Sequence, residues 1–479
     1  MPHRLSLCEM AARIRSGDLS PGELVEAHLR QIERVNPRLN AFVVVLADEA
    51  RRSAKAAESV LARGENPCPL HGIPVTVKDS FDMEGLPTLC GSRFRLGHRA
   101  SRDSAAVARL KRAGAIILGK TNCPEFLMNY ETDNYITGRT NNPWNADYTP
   151  GGSSGGEAAA IAAFCSAGGI GSDGGGSIRL PAHFCGIAGL KPTPGRISGV
   201  GHFPFIGNPG GLLGVAGPMA RTARDLRLLF EALAGYDPED PFSAPVTLHQ
   251  PRLDRFRVGV MEQFYAVPVE EPVAAAVRKA AETLTSMGFR AEPFAPRGLE
   301  RAPNVWSFLF AELPANVVRE LFAGREAEAH WTGVELFDRV KDRPEPSGKE
   351  VLENLAVRDR MRASLMRQMR EFPVLLWPAA GVAAFRHRQR RWATPGKEIG
   401  YFEAMMPLTP ANLLGLPAVA IPWSTTADGL PVGIQLIGRP YEEEELLELA
   451  VRLEEARGGF PRRKIWDHVG WNSESHADT

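Results

Sequence analysis

The sequence lacks an excess of charge of either sign. Lys and Arg together number 56, Asp and Glu together also number 56, and the formal net charge is zero. Proteins that bind nucleic acids or anionic membranes usually carry a basic excess that meets the phosphate groups. We therefore expect neither a nucleic acid nor a membrane as a partner, and we interpret the basic run 386–391 as a solvated surface.

Cysteine is also scarce. The 479 residues contain six cysteines, and none of them forms a C-x-x-C pair or shows metal-ligand spacing. This composition argues against a disulfide framework and a cysteine-bound metal, and it favours a reduced protein in the cytoplasm. We expect no metal and no organic cofactor.

Long uninterrupted hydrophobic runs are missing as well. Arg4 and Glu9 interrupt the N-terminal segment MPHRLSLCEM where a signal peptide would be apolar. The uncharged stretch 404–427 contains four prolines, which would break a membrane helix repeatedly. The sequence therefore predicts a soluble protein.

Short apolar strands alternate with amphipathic helices along the chain. The strand 73–77, the helix 104–112 and the strand 115–118 follow one another, and the same order recurs from residue 257 onward. Alternation of this kind is typical of an α/β fold. We predict a single domain over residues 1–479, with a mixed, mostly parallel central sheet covered by helices on both faces.

One segment of this domain is less regular than the rest. Residues 296–397 contain four of the eight tryptophans. We interpret this segment as an aromatic-rich insertion that shapes a substrate pocket, although ordinary core packing is an alternative.

Glycine and serine dominate residues 149–193, which include the segments GGSSGG and GGGSIR. Glycine allows the backbone to approach a ligand closely and to adopt conformations that other residues avoid. Consecutive N–H groups at 174–177 can converge on one developing oxyanion. Because apolar residues flank these glycines on both sides, we predict a functional loop rather than a flexible linker.

Two short motifs, one before this region and one within it, match nucleotide-binding patterns. Residues 114–121 fit the P-loop pattern, but their middle four residues are strand formers where a phosphate loop must curl. Residues 169–174 fit G-x-G-x-x-G, but the next acidic residue after this motif is Asp225, too distant to bind a ribose. We reject both functions.

A third motif indicates an alternative catalytic function that is harder to reject. Residues 151–155 match the nucleophile elbow G-x-S-x-G, and a helix is predicted directly after them. His387 and His468 lie downstream as potential bases, but no apolar strand precedes the motif as an elbow requires. This alternative stays open at the level of sequence.

The strand-end lysine, GGSSGG and GGGSIR together resemble the amidase signature family of serine hydrolases. Similar segments cover most of the chain, at 71–79, 119–122, 150–193, 409–417 and 429–435. The resemblance implies the amidase signature fold, with the catalytic residues in a core over 70–225.

The resemblance implies a catalytic triad of Ser177 as nucleophile, Ser153 as bridging residue and Lys78 as base, with a cis peptide bond before Ser153. A serine hydroxyl is a poor nucleophile and needs a neighbouring base. Lysine is a base only when neutral, and burial lowers its pKa. Neutral Lys78 would take a proton from Ser153, which takes one from Ser177, and the reverse relay protonates the leaving amine.

Other site residues follow from the same resemblance. The oxyanion donors would be the amides of Gly174, Gly175, Gly176 and Ser177. Residues expected to support the loops around the triad are Asp79, Ser154, Asp173 and Arg179, the last two through charge-assisted hydrogen bonds. The family's layout places the substrate pocket at Phe126, Leu127, Met128, Tyr130 and Phe205.

This chain departs from the family pattern near the proposed nucleophile. Members commonly have threonine and a larger side chain where this chain has Ser172 and Gly174. We expect the extra glycine to loosen the oxyanion loop or to open the acyl site to a bulkier group.

Further departures bear on the substrate. The glutamyl-tRNA amidotransferase branch usually has glutamine where Leu180 stands and D-E-F-A-M-G near 123–129, which here reads CPEFLMN. Both changes are towards apolar residues. We predict an independent hydrolase, a monomer or homodimer, that forms an acyl-enzyme from apolar acyl or aryl amides, with esters and carbamates (urethanes) as related small-molecule substrates. The alternative is the A subunit of a glutamyl-tRNA amidotransferase, which supplies ammonia from glutamine with partner chains.

Overall fold

The computed structural model describes residues 1–205, 213–253 and 257–459. Its strands are β1 Phe42–Val45, β2 Pro74–Lys78, β3 Ile116–Thr121, β4 Gly168–Asp173, β5 Ala188–Lys191, β6 Val215–Ala220, β7 Arg257–Val260, β8 Arg290–Pro293, β9 Val374–Pro378, β10 Arg391–Thr394, β11 Lys397–Gly400, β12 Ala418–Thr425 and β13 Pro431–Ile437.

Eleven of these strands form one sheet in the order β1-β3-β2-β4-β6-β5-β12-β13-β9-β7-β8, and β10 pairs with β11 separately. The parallel pairs lie towards the two ends of the sheet, in β3-β2-β4 and β9-β7-β8. The other six pairings are antiparallel. The predicted α/β fold with a mixed sheet is confirmed, but the sheet is not mostly parallel as predicted, because only four of its pairings are parallel. The strand–helix–strand units in the sequence correspond to the parallel ends, whereas the centre is built from antiparallel neighbours such as β12 and β13.

Helices flank the sheet. They are α1 Leu7–Ser16, α2 Pro21–Leu39, α3 Ala47–Ala62, α4 Ala105–Arg112, α5 Gly155–Ala162, α6 Arg179–Cys185, α7 Ala223–Leu233, α8 Glu271–Ser286, α9 Ala302–Ser307, α10 Ala315–Phe322, α11 Trp331–Asp338, α12 Gly348–Gln368, α13 Tyr401–Ala404, α14 Thr409–Leu413 and α15 Glu443–Arg457.

Local sequence sets several helix ends. Ser6 and Ser20 begin α1 and α2 with capping boxes, in which each serine hydroxyl accepts a hydrogen bond from the backbone three residues later. Gly458 ends α15 in the left-handed conformation that glycine adopts most readily.

Helix α5 is buried on every side and carries the residues that follow GGSSGG. Its small residues permit close approach: a Cβ atom at Gly156 would lie 2.5 Å from the backbone nitrogen and oxygen of Asn122. The tight fit fixes the start of α5 against the end of β3. The loop that carries Ser153 and Ser154 is thereby positioned beside the end of β2.

The aromatic-rich segment 296–397 supplies α9 to α12 and also strand β9. Strand β9 pairs with both β13 and β7 inside the large sheet, and the side chain of Trp377 within it is fully buried. Strand β9 therefore belongs to the central sheet, whereas the end of the segment forms β10 in the separate two-stranded sheet. Trp306 of α9 and Leu336 of α11 are the α-helical residues of this segment that reach the candidate site.

Two further observations concern the whole described chain. Within residues 1–205, 213–253 and 257–459, no helix has the length and apolar character needed to cross a membrane. All six cysteines are free thiols.

Candidate active site

Lys78 ends β2, and its side chain is fully buried. Its Nζ atom lies 2.7 Å from Ser153 Oγ, 2.9 Å from Ser154 Oγ and 3.0 Å from Ser172 Oγ. Lys78 makes no ion pair with any described residue, so the hydrogen-bond partners of its amine are neutral hydroxyls. Because burial disfavours the ammonium, the pKa of Lys78 is lowered to about 8. The neutral amine is thus accessible close to neutral pH.

Two of the hydroxyls that contact Lys78, those of Ser153 and Ser154, belong to the loop before α5. The Gly152–Ser153 peptide bond is cis, as the resemblance implies. A Cβ atom at Gly152 would lie 2.7 Å from the carbonyl oxygen of Asn129, which explains the glycine. The Ser154 N–H donates to the Ser177 carbonyl oxygen at 3.1 Å, which ties this loop to the second glycine-rich segment.

Ser177 follows three glycines after β4 and precedes α6. The residue is 8% exposed, and its hydroxyl has no hydrogen-bond partner in the described part of the chain. Ser177 lines two neighbouring cavities, one of which Ser153 also lines. Its hydroxyl is therefore free to meet a ligand beside the bridging serine.

The carbonyl oxygens of Gly174 and Gly175 are held by aromatic side chains. Trp306 Nε1 donates to the Gly174 oxygen at 2.9 Å, and the Tyr130 hydroxyl donates to the Gly175 oxygen at 3.0 Å. In a trans peptide the N–H points away from the carbonyl of the same unit. The contact from Trp306 therefore fixes the direction of the Gly175 N–H.

One of the four backbone N–H groups predicted to bind the oxyanion already donates a hydrogen bond within the protein. The Gly176 N–H donates to Asp173 Oδ1 at 2.6 Å, because the loop turns back on this carboxylate. In the described part of the chain, no acceptor lies within hydrogen-bond distance of the other three N–H groups, which belong to Gly174, Gly175 and Ser177.

The expectation that Gly174 loosens this loop does not match the packing. A Cβ atom at Gly174 would lie 2.9 Å from Phe310 Cε2, and one at Gly175 would lie 2.4 Å from Trp306 Cζ2. The two aromatic rings stack at a centroid distance of 4.6 Å. The space that a larger side chain would occupy is therefore filled by Phe310.

Asp173 and Arg179 form a fully buried ion pair across this loop. Arg179 Nη2 lies 3.0 Å from Asp173 Oδ1, and Arg179 Nε lies 3.0 Å from Asp173 Oδ2. Burial alone would raise the pKa of Asp173, but Arg179 holds it well below its usual range. Arg179 also donates to the side chains of Asn412 and Gln435. Sequence reasoning predicted charge-assisted hydrogen bonds from Asp173 and Arg179 but did not identify the two amide partners.

Asp79 and Ser154 have different surroundings. Ser154 contacts the Lys78 amine directly, whereas Asp79 pairs with Lys120 at 2.7 Å, and both members of that pair are about 1% exposed. Lys120 lies in β3, so the P-loop-like segment 114–121 contains a strand and not a phosphate loop. The G-x-G-x-x-G match likewise lies almost entirely in strand β4.

Glu157 is a buried carboxyl group that no sequence motif identified. Its Oε1 atom accepts from Thr76 Oγ1 at 2.5 Å, and its Oε2 atom accepts from Thr121 Oγ1 at 2.7 Å. Burial raises the pKa of Glu157 to about 7. Thr76 precedes Lys78 by two residues on β2, so the carboxyl group lies on the same face of the sheet as the amine.

All five predicted pocket residues line the cavities beside Ser177. The larger cavity, about 120 Å³ in volume, is lined by Phe126, Leu127, Met128 and Phe205, and the narrower one by Tyr130. Segment 296–397 contributes Trp306, Phe310 and Leu336 to these walls. The larger cavity also touches His202, which no sequence motif identified.

Among the described residues, no histidine makes the hydrogen bond to Ser153 that the nucleophile-elbow alternative requires. His387 contacts the carbonyl oxygen of Ala146 at 3.2 Å and lies 3.8 Å from Glu131, and it makes no hydrogen bond to Ser153. His468 lies outside the described residues.

One group of potential metal ligands lies away from this site. The ligand atoms of His249, Glu444 and Glu445 come within 4.8 Å of one another. Glu444 is already paired with Arg196 at 2.5 Å, and Glu445 contacts His249 at 3.0 Å. Because Arg196 already neutralises Glu444 and His249 already contacts Glu445, we assign no metal to this cluster.

The amidase family model matches residues 23–447. A curated relative, the A subunit of the glutamyl-tRNA(Gln) amidotransferase of Roseiflexus castenholzii (strain DSM 13941 / HLO8), is 36% identical over 475 residues, covering 93% of this chain and 94% of the relative.

Solved structures give a similar result. A protein from a complex linked to the origins of an s-triazine catabolic enzyme is 31% identical, with a TM-score of 0.87 over 95% of this chain and 99% of that one. A bacterial aryl acylamidase of the amidase signature family is 26% identical, with a TM-score of 0.84 over 97% and 98% of the two chains.

The Asp173–Arg179 pair gives a testable consequence for stability. We expect Asp173→Asn to lower the free energy of unfolding by about 3–5 kcal/mol, because it leaves the buried Arg179 cation without its counter-ion. Urea unfolding measures the change. Arg102→Met is the matched control: it removes an exposed ion pair with Glu239 and should leave the midpoint nearly unchanged. Equal midpoints for the two variants would contradict the importance of the buried pair.

Proposed function

The chain belongs to the amidase signature family of enzymes that act on amide C–N bonds, and we propose that it hydrolyses an amide through an acyl-enzyme on Ser177. One observation supports this most strongly. The desolvated amine of Lys78 lies 2.7 Å from Ser153 Oγ, and Ser153 and Ser177 line the same cavity. A lysine in this state is a base, and the serine between it and the cavity is a proton carrier.

The proposed reaction has two halves. Ser177 Oγ attacks the carbonyl carbon of the amide while its proton passes to Ser153 and the proton of Ser153 passes to Lys78. The oxyanion is stabilised by backbone N–H groups that have no acceptor among the described residues, those of Gly174, Gly175 and Ser177. The protonated Lys78 returns the proton through Ser153 to the leaving nitrogen, which departs as amine or ammonia. Water then attacks the acyl-enzyme by the same relay and releases the carboxylate.

The cavity walls favour an apolar acyl or aryl group. No Lys or Arg occurs among the described residues that line it, and the one carboxylate there, Asp173, is engaged by Arg179. The undescribed stretch 206–212 contains no charged residue in its sequence. A charged substrate would lose its hydration without gaining a partner. We therefore propose apolar amides as substrates, with esters and carbamates as related substrates of the same reaction.

A second candidate function is that of the A subunit of a glutamyl-tRNA amidotransferase. The curated relative from Roseiflexus castenholzii, 36% identical over 93% of this chain, bears that name, as does one from Synechococcus sp. (strain CC9311), 34% identical over 96% of this chain. The relatives favour this function over apolar amide hydrolysis, whereas the uncharged cavity walls favour the hydrolase. In this second function the same triad releases ammonia from glutamine, together with partner chains and a charged tRNA.

We also propose a cytoplasmic location. Cys90, Cys123, Cys165 and Cys185 are buried free thiols, which supports a reducing compartment. The assembly differs between the two candidates, because the hydrolase would act as a monomer or homodimer and the amidotransferase component in a larger complex.

The nucleophile can be identified by labelling. We expect a fluorophosphonate to modify Ser177, because its hydroxyl is the one that faces the cavity without a partner. Mass spectrometry of the digested protein locates the label. Ser177→Ala should abolish labelling, and Lys78→Met should slow it by at least about 100-fold because the base is lost. A label on Ser153 in the unmodified protein would contradict the proposed triad.

The two candidate functions differ in their substrates. For the hydrolase, the chain alone should cleave phenylacetamide and should leave L-glutamine essentially intact. For the amidotransferase component, ammonia release from glutamine should appear only with partner chains and charged tRNA. Ammonia release by the purified chain on both compounds, with Ser177→Ala as the blank, decides between them.

A further inference from the structure

The two cavities beside Ser177 differ in size and in access to the proton relay. Of the three relay residues, all of which the structure describes, Ser177 lines both cavities and Ser153 lines only the larger one. The larger cavity has a volume of about 120 Å³ and the narrower one about 20 Å³. An apolar cavity of about 150 Å³ holds benzene, and one of about 10–15 Å³ holds a single water molecule. The larger cavity is therefore close to the size of an aromatic ring, and the narrower one to that of a methyl group.

The proton relay determines which side of the substrate enters which cavity. In the tetrahedral intermediate on Ser177, the former carbonyl carbon carries the oxyanion, the acyl substituent and the leaving nitrogen. Ser153 protonates that nitrogen, and a proton donor must lie within about 3.2 Å of its acceptor. The leaving nitrogen therefore lies on the side of the larger cavity. Because the oxyanion faces the unpaired backbone N–H groups, the acyl substituent is left with the narrower cavity.

The aromatic walls of the narrower cavity are held by contacts within the protein. Trp306 stacks on Phe310 at a centroid distance of 4.6 Å. The guanidinium carbon of Arg339 lies 4.3 Å from the centroid of the Phe402 ring, and this ring packs edge-on against Tyr130 at a centroid distance of 6.3 Å. A large acyl group would have to displace these packed side chains, which a close-packed interior resists.

The larger cavity is more open and is also suited to an apolar group. Phe205, one of its lining residues, is 54% exposed, so the cavity extends to the protein surface and a departing amine has a path to solvent. Its other apolar lining residues are Phe126, Leu127, Met128, Pro204, Val215 and Phe310. An apolar substituent on the nitrogen gains free energy when these side chains remove it from water.

We propose that the larger cavity binds the amine side of the scissile bond, so that the enzyme selects a ring-sized apolar group on the nitrogen together with a small acyl group such as acetyl. This inference rests on the proposed amide hydrolysis and narrows its substrates to N-aryl and N-benzyl acetamides. Phenylacetamide carries its ring on the acyl side and is therefore a slower substrate of the same enzyme.

Two isomeric amides test this assignment. N-benzylacetamide and N-methyl-2-phenylacetamide contain the same atoms and the same kind of secondary amide, but their benzyl groups lie on opposite sides of it. We expect kcat/KM to be at least about tenfold higher for N-benzylacetamide, because only this isomer places its ring in the cavity that fits it. Release of the amine, measured for both isomers with Ser177→Ala as the blank, gives the ratio.

Two matched variants each remove one phenylalanine ring from one cavity. Phe402→Ala enlarges the narrower cavity and should lower the preference for N-benzylacetamide by at least about tenfold, by raising kcat/KM for its isomer. Phe205→Ala removes apolar contact from the larger cavity and should raise KM for N-benzylacetamide more than for its isomer. If Phe402→Ala protein does not fold, Leu336→Ala opens the narrower cavity at another point.

Equal kcat/KM values for the two isomers, a higher value for N-methyl-2-phenylacetamide, or an unchanged preference in the folded variant with the enlarged narrower cavity would overturn the proposal. A wild-type enzyme that hydrolyses neither isomer would instead count against the proposed function. Protection of Ser177 from the fluorophosphonate then decides the cavity assignment. N-benzylacetamide should protect at concentrations at least about tenfold lower than its isomer does. Equal protection, or a Ser177 that the probe does not label, overturns the assignment.

Discussion

The burial of the Lys78 amine without a counter-ion is the constraint on which the rest of the site depends. The amine of a lysine in water is protonated at neutral pH, and a neighbouring carboxylate raises the pKa of that amine further. Here three serine hydroxyls surround Nζ, and they satisfy the amine in either protonation state because a hydroxyl both donates and accepts. The strands β2 and β4 and the loop before α5 must meet at one point to build this arrangement. The glycines and alanines of α5 permit that approach.

A second constraint fixes the backbone that faces the substrate. Asp173 and Arg179 hold the base of the loop, while Trp306 and Tyr130 hold the carbonyl oxygens of Gly174 and Gly175. These contacts come from three separate parts of the chain, the two ends of the loop itself, Tyr130 and Trp306, so the loop is rigid only in the completed fold. An oxyanion site benefits from such rigidity, because donors that are already oriented need no reorganisation during the reaction.

The sequence predicted those features of the fold that depend on residues close together in the chain. Capping serines, the strand before Lys78 and the helix after Ser153 follow from short-range patterns, and the parallel ends of the sheet follow from strand–helix–strand order. The glycine-rich segments, through their resemblance to the amidase signature family, predicted a role for Ser177 and its neighbours. His202, Glu157 and the hydrogen bond from Trp306 to Gly174 were missed, because these contacts join distant segments and no motif marks them. The packing of Phe310 on Gly174 was unpredictable for the same reason: a glycine in a sequence does not reveal which side chain fills the space beside it.

The central claim is that Lys78 is a buried, readily neutralised base. A heteronuclear NMR titration of the lysine side chains tests it most directly, with the Lys78 signal assigned by its loss in Lys78→Met. We expect Lys78 to titrate near pH 8, well below the other lysines. Titration near 10.4, roughly the value of a lysine in water, would contradict the claim.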